Sequence, residues 1–305
     1  MRISPCMLAT VCVPWNEDFT FAEGLFRHEV QHLLSTGFEN LYIFGTAGEG
    51  YAVTDAMFRQ IAGVFHDEMQ ASQGLCQLGV IGLSVAQVKA RIDIGLELGF
   101  RAFQISLPSW GEVNQREMFT FFDEVVGAYP QAQFLHYNLI RGLHIVTGTE
   151  YARILADHPN LVATKSGRSA IQQDLDLIRN APELCHFLTE FDYAYASLFG
   201  TCGLLVSLSA INARKACTLY QAGQARDVET LVTMTGEYQT ILDLLMFHLA
   251  SGQHMDGAYD KLFVRIPIPD FPLRLLPPYQ GTTDEEFTAF VNALQTALPD
   301  WLEKL

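Results

Sequence analysis

The sequence predicts a (β/α)8 TIM barrel with a C-terminal helical appendage. Three observations lead there. Eight short apolar runs recur within the first 211 residues, helical patterns separate most of them, and the links are short and carry glycine or proline. A doubly wound open sheet is the structural alternative. Near-even spacing of eight units, with no GxGxxG turn after the first strand, favours the barrel.

The first strand is read in CMLATVCV. Asn16, Glu17 and Asp18 follow it without a cleavage site, so the segment is a strand and not a signal peptide. A helical pattern from Phe21 to Ser35 precedes the second strand, NLYIFG, which runs into the glycine-rich turn GTAGEG. Asp55 to Met69 reads as a helix, LCQLGVIG as the third strand, and Ser84 to Leu98 as the next helix. RAFQISL, AQFLHYN, NLVATK, LCHFLTE and GLLVSLS supply the remaining strands, with a helix from Arg116 to Val126 between the first two of these. Residues 1–211 therefore form the barrel core, and 212–305 the last barrel helix and the appendage. In the appendage Ala225 to Leu249 and Asp284 to Leu298 are helical, and the prolines of IPIPDFPLRLLPPY mark an extended connector.

Composition bounds the function. Hydrophobic residues make up 49% and charged residues 17% of 305 positions, which describes a chain with a sizeable core. A formal net charge of −15 argues against nucleic acid or an anionic membrane as partner. No apolar run reaches the roughly 18 residues of a membrane helix. The six cysteines show neither CxxC nor metal-ligand spacing, so a reducing cytoplasm is the expected setting. No His/Asp/Glu set has ligand spacing either, and neither metal nor organic cofactor is expected.

In such a barrel the chemistry gathers where the strands end. The sixth strand ends in Lys165, a residue type almost never buried without a reason. As a nucleophile it must shed a proton held with a reference pKa of about 10.4, which burial in a barrel mouth can favour. A rim lysine paired with a carboxylate such as Glu190 is the bland alternative. On the fifth strand, Tyr137 makes an interior pair with Leu135 while His136 faces the helices. Its hydroxyl could relay protons, or could simply be a satisfied core group. GTAGEG offers backbone N–H groups for an anion and the Thr46 hydroxyl, and Glu49 reads as structural. Arg141 and Arg168 follow the fifth and sixth strands and could bind an acidic substrate.

As an ordered set, GTAGE, HYN and VATK resemble the dihydrodipicolinate synthase / N-acetylneuraminate lyase family of class I Schiff-base barrels. ATVCVPWNEDFTF near the start and FPLRLLPPY near the end are similar to further family segments, so the resemblance covers essentially the whole chain. It implies that Lys165 forms an imine with a 2-keto acid and that Tyr137 shuttles the proton. It also implies that Thr46, with Ala47 and Gly48, holds the keto-acid carboxylate, and that the chain assembles as a homo-oligomer, a dimer or tetramer.

Departures bear on the substrate. Ala47 replaces a threonine, and Ser109 and Trp110 stand in PSWGE where the synthases carry paired tyrosines. An indole cannot relay protons, which points away from a true dihydrodipicolinate synthase. Arg141 in YNLIRG stands one residue closer to the tyrosine than in the family spacing. TEFDY keeps Asp192 but has Glu190 where a small residue is expected, which would repel a second carboxylate and accept from hydroxyls. Ser207 is retained near the eighth strand. The expectation is a Schiff-base lyase cleaving or condensing a polyhydroxylated or aromatic-bearing 2-keto acid, with Trp110 and Glu190 helping to select it. Imine-assisted dehydration or deamination, a keto-acid sensor without catalysis, and an unrelated phosphate-binding barrel are the alternatives.

Overall fold

The computed structural model describes residues 3–167, 170–249 and 254–302. Eight parallel strands close into a barrel in chain order, β1 pairing with both β2 and β8. They are β1 (Met7–Thr10), β2 (Leu41–Ile43), β3 (Cys76–Gly79), β4 (Ala102–Ile105), β5 (Gln133–Tyr137), β6 (Leu161–Ser166), β7 (Cys185–Leu188) and β8 (Gly203–Val206). Seven lie within the apolar runs, and β6 extends one residue past its own, to Ser166. The helices that alternate with them are α1 (Glu23–Ser35), α2 (Asp55–Met69), α3 (Val85–Leu98), α4 (Gln115–Val125), α5 (Gly148–Asp157), α6 (Ile171–Asn180), α7 (Glu190–Ala196) and α8 (Ala213–Ala225).

Local chemistry fixes the helix starts. The Thr54 and Ser84 hydroxyls accept from backbone N–H groups in the first turns of α2 and α3. Asn114 with Glu117, and Thr147 with Glu150, make reciprocal capping boxes on α4 and α5. After the barrel come α9 (Val228–His248), α10 (Asp256–Arg265) and α11 (Asp284–Ala297). α9 packs on α7 and α8, and α11 packs on α9. The connector after α10 returns to the barrel, where Arg274 donates to the Trp15 carbonyl at 2.7 Å. The sequence pattern marked that connector but missed α10.

Two features aim side chains into the lumen. Neighbouring parallel strands in register present paired residues on one face, so Thr10 stands beside Tyr42 and Tyr137 beside Lys165. On β6 one extra residue interrupts the register, with Phe134 opposite Leu161 but Leu135 opposite Ala163. A slip of one residue exchanges the faces of a strand. Here it sets Lys165, and not Thr164, next to Tyr137. The lower lumen is filled by Leu8, Leu135, Ala163, Cys185, Phe187 and Leu205, so polar groups concentrate at the open end.

Candidate active site

Lys165 retains 3% of its surface and extends into the lumen. Its Nζ donates to Tyr42 Oη at 2.8 Å and lies 4.3 and 4.0 Å from the ring centroids of Tyr42 and Tyr137. Burial lowers its pKa to about 7, against the opposing pull of Asp260 and Asp256. The amine is therefore far more available as a nucleophile than an exposed lysine. Burial also raises Tyr137 to about 12, while the neighbouring Thr46 hydroxyl favours its phenolate. His136 points away from the lumen, within 2.6 Å of Tyr151 Oη on α5, and burial lowers it to about 3.

The turn after β2 is built by close approach. A Cβ at Gly48 would lie 2.6 Å from Phe44 N, and one at Gly45 would lie 2.7 Å from the Tyr42 ring and 3.5 Å from Lys165 Nζ. Phe44 and Glu49 both adopt positive φ, at 61° and 53°. Glu49 is fully buried and accepts from Trp15 Nε1, Lys261 Nζ and Leu276 N at 2.6 to 2.7 Å. It ties the turn to α10 and the connector. Arg91 of α3 closes the other end, donating to the carbonyls of Gly50, Val53 and Ile81. The Ala47 methyl packs with Cys12, Ile268 and Phe271.

The structure thus brings Lys165, Tyr137 and Thr46 together. The other candidates are distributed around them. Glu190 is buried and accepts from Ser207 N at 2.7 Å, joining the ends of β7 and β8. Asp192 accepts from Thr189 and Tyr195, at 3.2 and 3.4 Å. Arg141 forms a two-pronged pair with Asp256 of α10, at 2.8 and 3.1 Å. Trp110 is 88% exposed, and in the loop after β5 Ile140 is 81% and Leu143 48% exposed. Arg168 lies outside the described residues.

Among the described lumen and mouth residues that escaped the sequence reading are Thr10, Tyr42, Gln104 and Asp260. Gln104 is fully buried on β4, with no protein partner for either side-chain polar atom among the described residues. Asp260 hangs from α10 and keeps some accessible surface, yet protein surrounds it. Burial, with Asp256 and Glu190 adding repulsion, raises its pKa to about 7 against the attraction of Lys165. The signal for Tyr42 was an aromatic hydroxyl at an inward position three residues before the glycine turn. Asp260 gave no comparable signal.

Fold and site define a class: a closed (β/α)8 barrel with an enclosed, readily deprotonated lysine on its sixth strand beside a tyrosine on its fifth. A sequence model of the Dihydrodipicolinate synthetase family matches residues 4–252, and the chain belongs to that family. Its members are aldolase-type lyases that use a lysine Schiff base. A 4-hydroxy-tetrahydrodipicolinate synthase from Thermosynechococcus vestitus is 23% identical over 172 residues, 55% of this chain and 56% of the relative. The chain thus matches little more than half the length of that relative. Among solved structures, YagE, a prophage protein of the same family from E. coli K12 in complex with pyruvate, superposes with TM-score 0.86. It is 13% identical, with 96% of this chain and 98% of that one covered. N-acetylneuraminate lyase from Mycoplasma synoviae gives TM-score 0.80 at 17% identity, covering 96% and 97%.

Proposed function

We propose that the protein is a Schiff-base-forming lyase acting on a 2-keto acid, with aldol cleavage that releases pyruvate as its reaction. The observation that carries this reading is Lys165, enclosed in the lumen with a pKa near 7 and flanked by two tyrosines. Its neutral amine attacks the keto carbon, and the protonated imine then accepts the electrons of the breaking C–C bond. Tyr137, against Thr46, moves the proton on the substrate oxygen. The backbone of Ala47 and Gly48 holds the keto-acid carboxylate, and Gln104 offers a further amide to the substrate.

Asp260 and the Arg141-paired Asp256 bring acidic groups near Lys165, and Glu190 adds repulsion at Asp260, which disfavours a second carboxylate on the substrate. Hydroxyl groups suit these acceptors, so a polyhydroxylated 2-keto acid is the proposed substrate class. Arg141, Asp192, Ser207 and Trp110 belong to the outer part of this reading. The exposed side chains of Trp110, Ile140 and Leu143, which follow adjacent strands, support assembly with further copies of the chain. A reducing cytoplasm, with the six cysteines free, completes the proposal.

Reductive trapping tests it. The protein is incubated with pyruvate and borohydride, and the adduct is mapped by peptide mass. A panel of 2-keto sugar acids is then tried. A keto-acid-sized adduct on Lys165, absent from Lys165→Ala, is the expected result. No adduct across the panel would overturn the lyase reading.

A further inference from the structure

Tyr42 is the hydrogen-bond partner of Lys165 Nζ, and the surroundings of Tyr42 lead away from the substrate side of the lumen. Thr10 is paired with Tyr42 in the β1–β2 register. Its hydroxyl lies close enough to favour the Tyr42 phenolate but completes no hydrogen bond of good geometry. Thr10 also lines a small cavity between β1, α1 and α10, together with Asp260, Glu29 and the half-buried His32. The cavity has room for one water molecule. Glu29 is 1% exposed, and although its Oε1 accepts from Cys12 N at 2.8 Å, its Oε2 has no protein partner among the described residues. Two buried polar groups without good partners, beside a water-sized space with a second carboxylate, make a site built for a proton.

We propose that Tyr42 is a catalytic residue of imine formation, taking the surplus proton from Lys165 Nζ and passing its own through Thr10 to the Asp260–Glu29 cavity. The proposal rests on the Schiff-base reading of Lys165. When the neutral amine adds to the keto carbon, a C–N bond forms and the carbonyl electron pair moves to oxygen. Nζ is left with two protons and a positive charge, but the imine keeps only one of them. That surplus proton moves to Tyr42 Oη as the phenol proton moves on to Thr10, whose own proton passes by way of water to a carboxylate. The keto oxygen takes one proton from Tyr137 and, once Tyr137 is reprotonated from solvent by way of Thr46, a second. It then leaves as water while the nitrogen lone pair forms the C=N bond, so solvent supplies two protons and the cavity carboxylate keeps one.

Relay in concert never requires a free phenolate. The strongly raised pKa of buried Tyr42 is therefore no obstacle. Nζ lies over both rings but makes its hydrogen bond to Tyr42 Oη, while the Tyr137 hydroxyl neighbours Thr46 instead. The two tyrosines thus divide the work, one serving the substrate oxygen and the other the nitrogen.

The test is rapid mixing with pyruvate, or with 2-keto-3-deoxygluconate as second probe, and a borohydride quench at about pH 8.5, above the Lys165 titration. In Tyr42→Phe the trapped fraction should reach the wild-type plateau, but about 100-fold more slowly. Asp260→Asn should also slow the approach, and the double variant should be no slower than Tyr42→Phe alone, because members of one relay are not additive. Thermal unfolding verifies that each variant is folded. Should Tyr42→Phe fail to fold, Thr10→Val leaves the Lys165–Tyr42 contact in place and is expected to show the same slow approach. Rates within about threefold of wild type, or losses that multiply in the double variant, would overturn the relay. A wild-type chain that traps neither probe would overturn both the relay and the lyase reading.

Discussion

Lys165 Nζ meets Tyr42 Oη at 2.8 Å although their strands, β6 and β2, stand four places apart in a closed ring of eight. The lysine therefore crosses the lumen instead of lying along its own wall. At that depth it exchanges water for two aromatic faces, and the loss of hydration explains its low pKa.

That position sets the pH response expected of the proposed imine formation. The initial trapping rate should rise through about pH 7 as the ammonium deprotonates, some three units below an exposed lysine. Asp260 carries charge that favours the ammonium, so Asp260→Asn should move the rise to lower pH. A rise near pH 10, or a shift in the other direction, would contradict the electrostatic account.

The same burial costs stability. Lys165 binds its proton less readily folded than unfolded, so the penalty is complete below about pH 7 and fades as pH climbs toward the unfolded value. Lys165→Met should stabilise the fold by about 1–4 kcal/mol at neutral pH. Urea unfolding at pH 7 and pH 10 should show the gain shrinking at the higher pH.

Gly45 keeps the lumen open above the amine. In Gly45→Ala the new methyl would meet the Tyr42 ring at 2.7 Å, and overpacking of this kind costs about 1–3 kcal/mol. Because Tyr42 must yield, the Lys165 contact is disturbed and trapping should slow. Unchanged stability together with unchanged trapping would show that the ring moves freely.

Glu49 and Lys261 test the frame around the site. Both are wholly buried and meet at 2.6 Å, so Glu49→Gln strands an ammonium in the interior. A loss of about 3–5 kcal/mol is expected from chemical denaturation. A double replacement by apolar residues of similar size should recover much of it.

The sequence made some of this legible and concealed the rest. Strands and helices were readable because each buries a continuous run or a regular stripe; the helix expected over Asp55 to Met69 coincides with α2. α10 was hidden because it is ten residues long and its buried face includes Lys261, which spoils the apolar periodicity. Tyr137 and Lys165 could be proposed because strand ends are where barrel chemistry gathers. Tyr42 left only its inward position before the glycine turn as a signal, since pattern alone does not say which side chains meet across a lumen. Nor does NLVATK reveal the extra residue that turns Lys165 inward. Arg141 illustrates the converse: its position was plain, while its partner Asp256 lies 115 residues further on.

The family match ends at residue 252, and α10 begins at Asp256. The helix that supplies Asp260 thus lies outside the stretch most recognisably shared with relatives, although it is latched to the common glycine turn through Lys261 and Glu49. Its acidic groups reach Lys165 from outside the barrel's own strands. Grafting it onto a related barrel would carry the acidic environment with it, retuning the reactivity of a lysine that the graft leaves untouched.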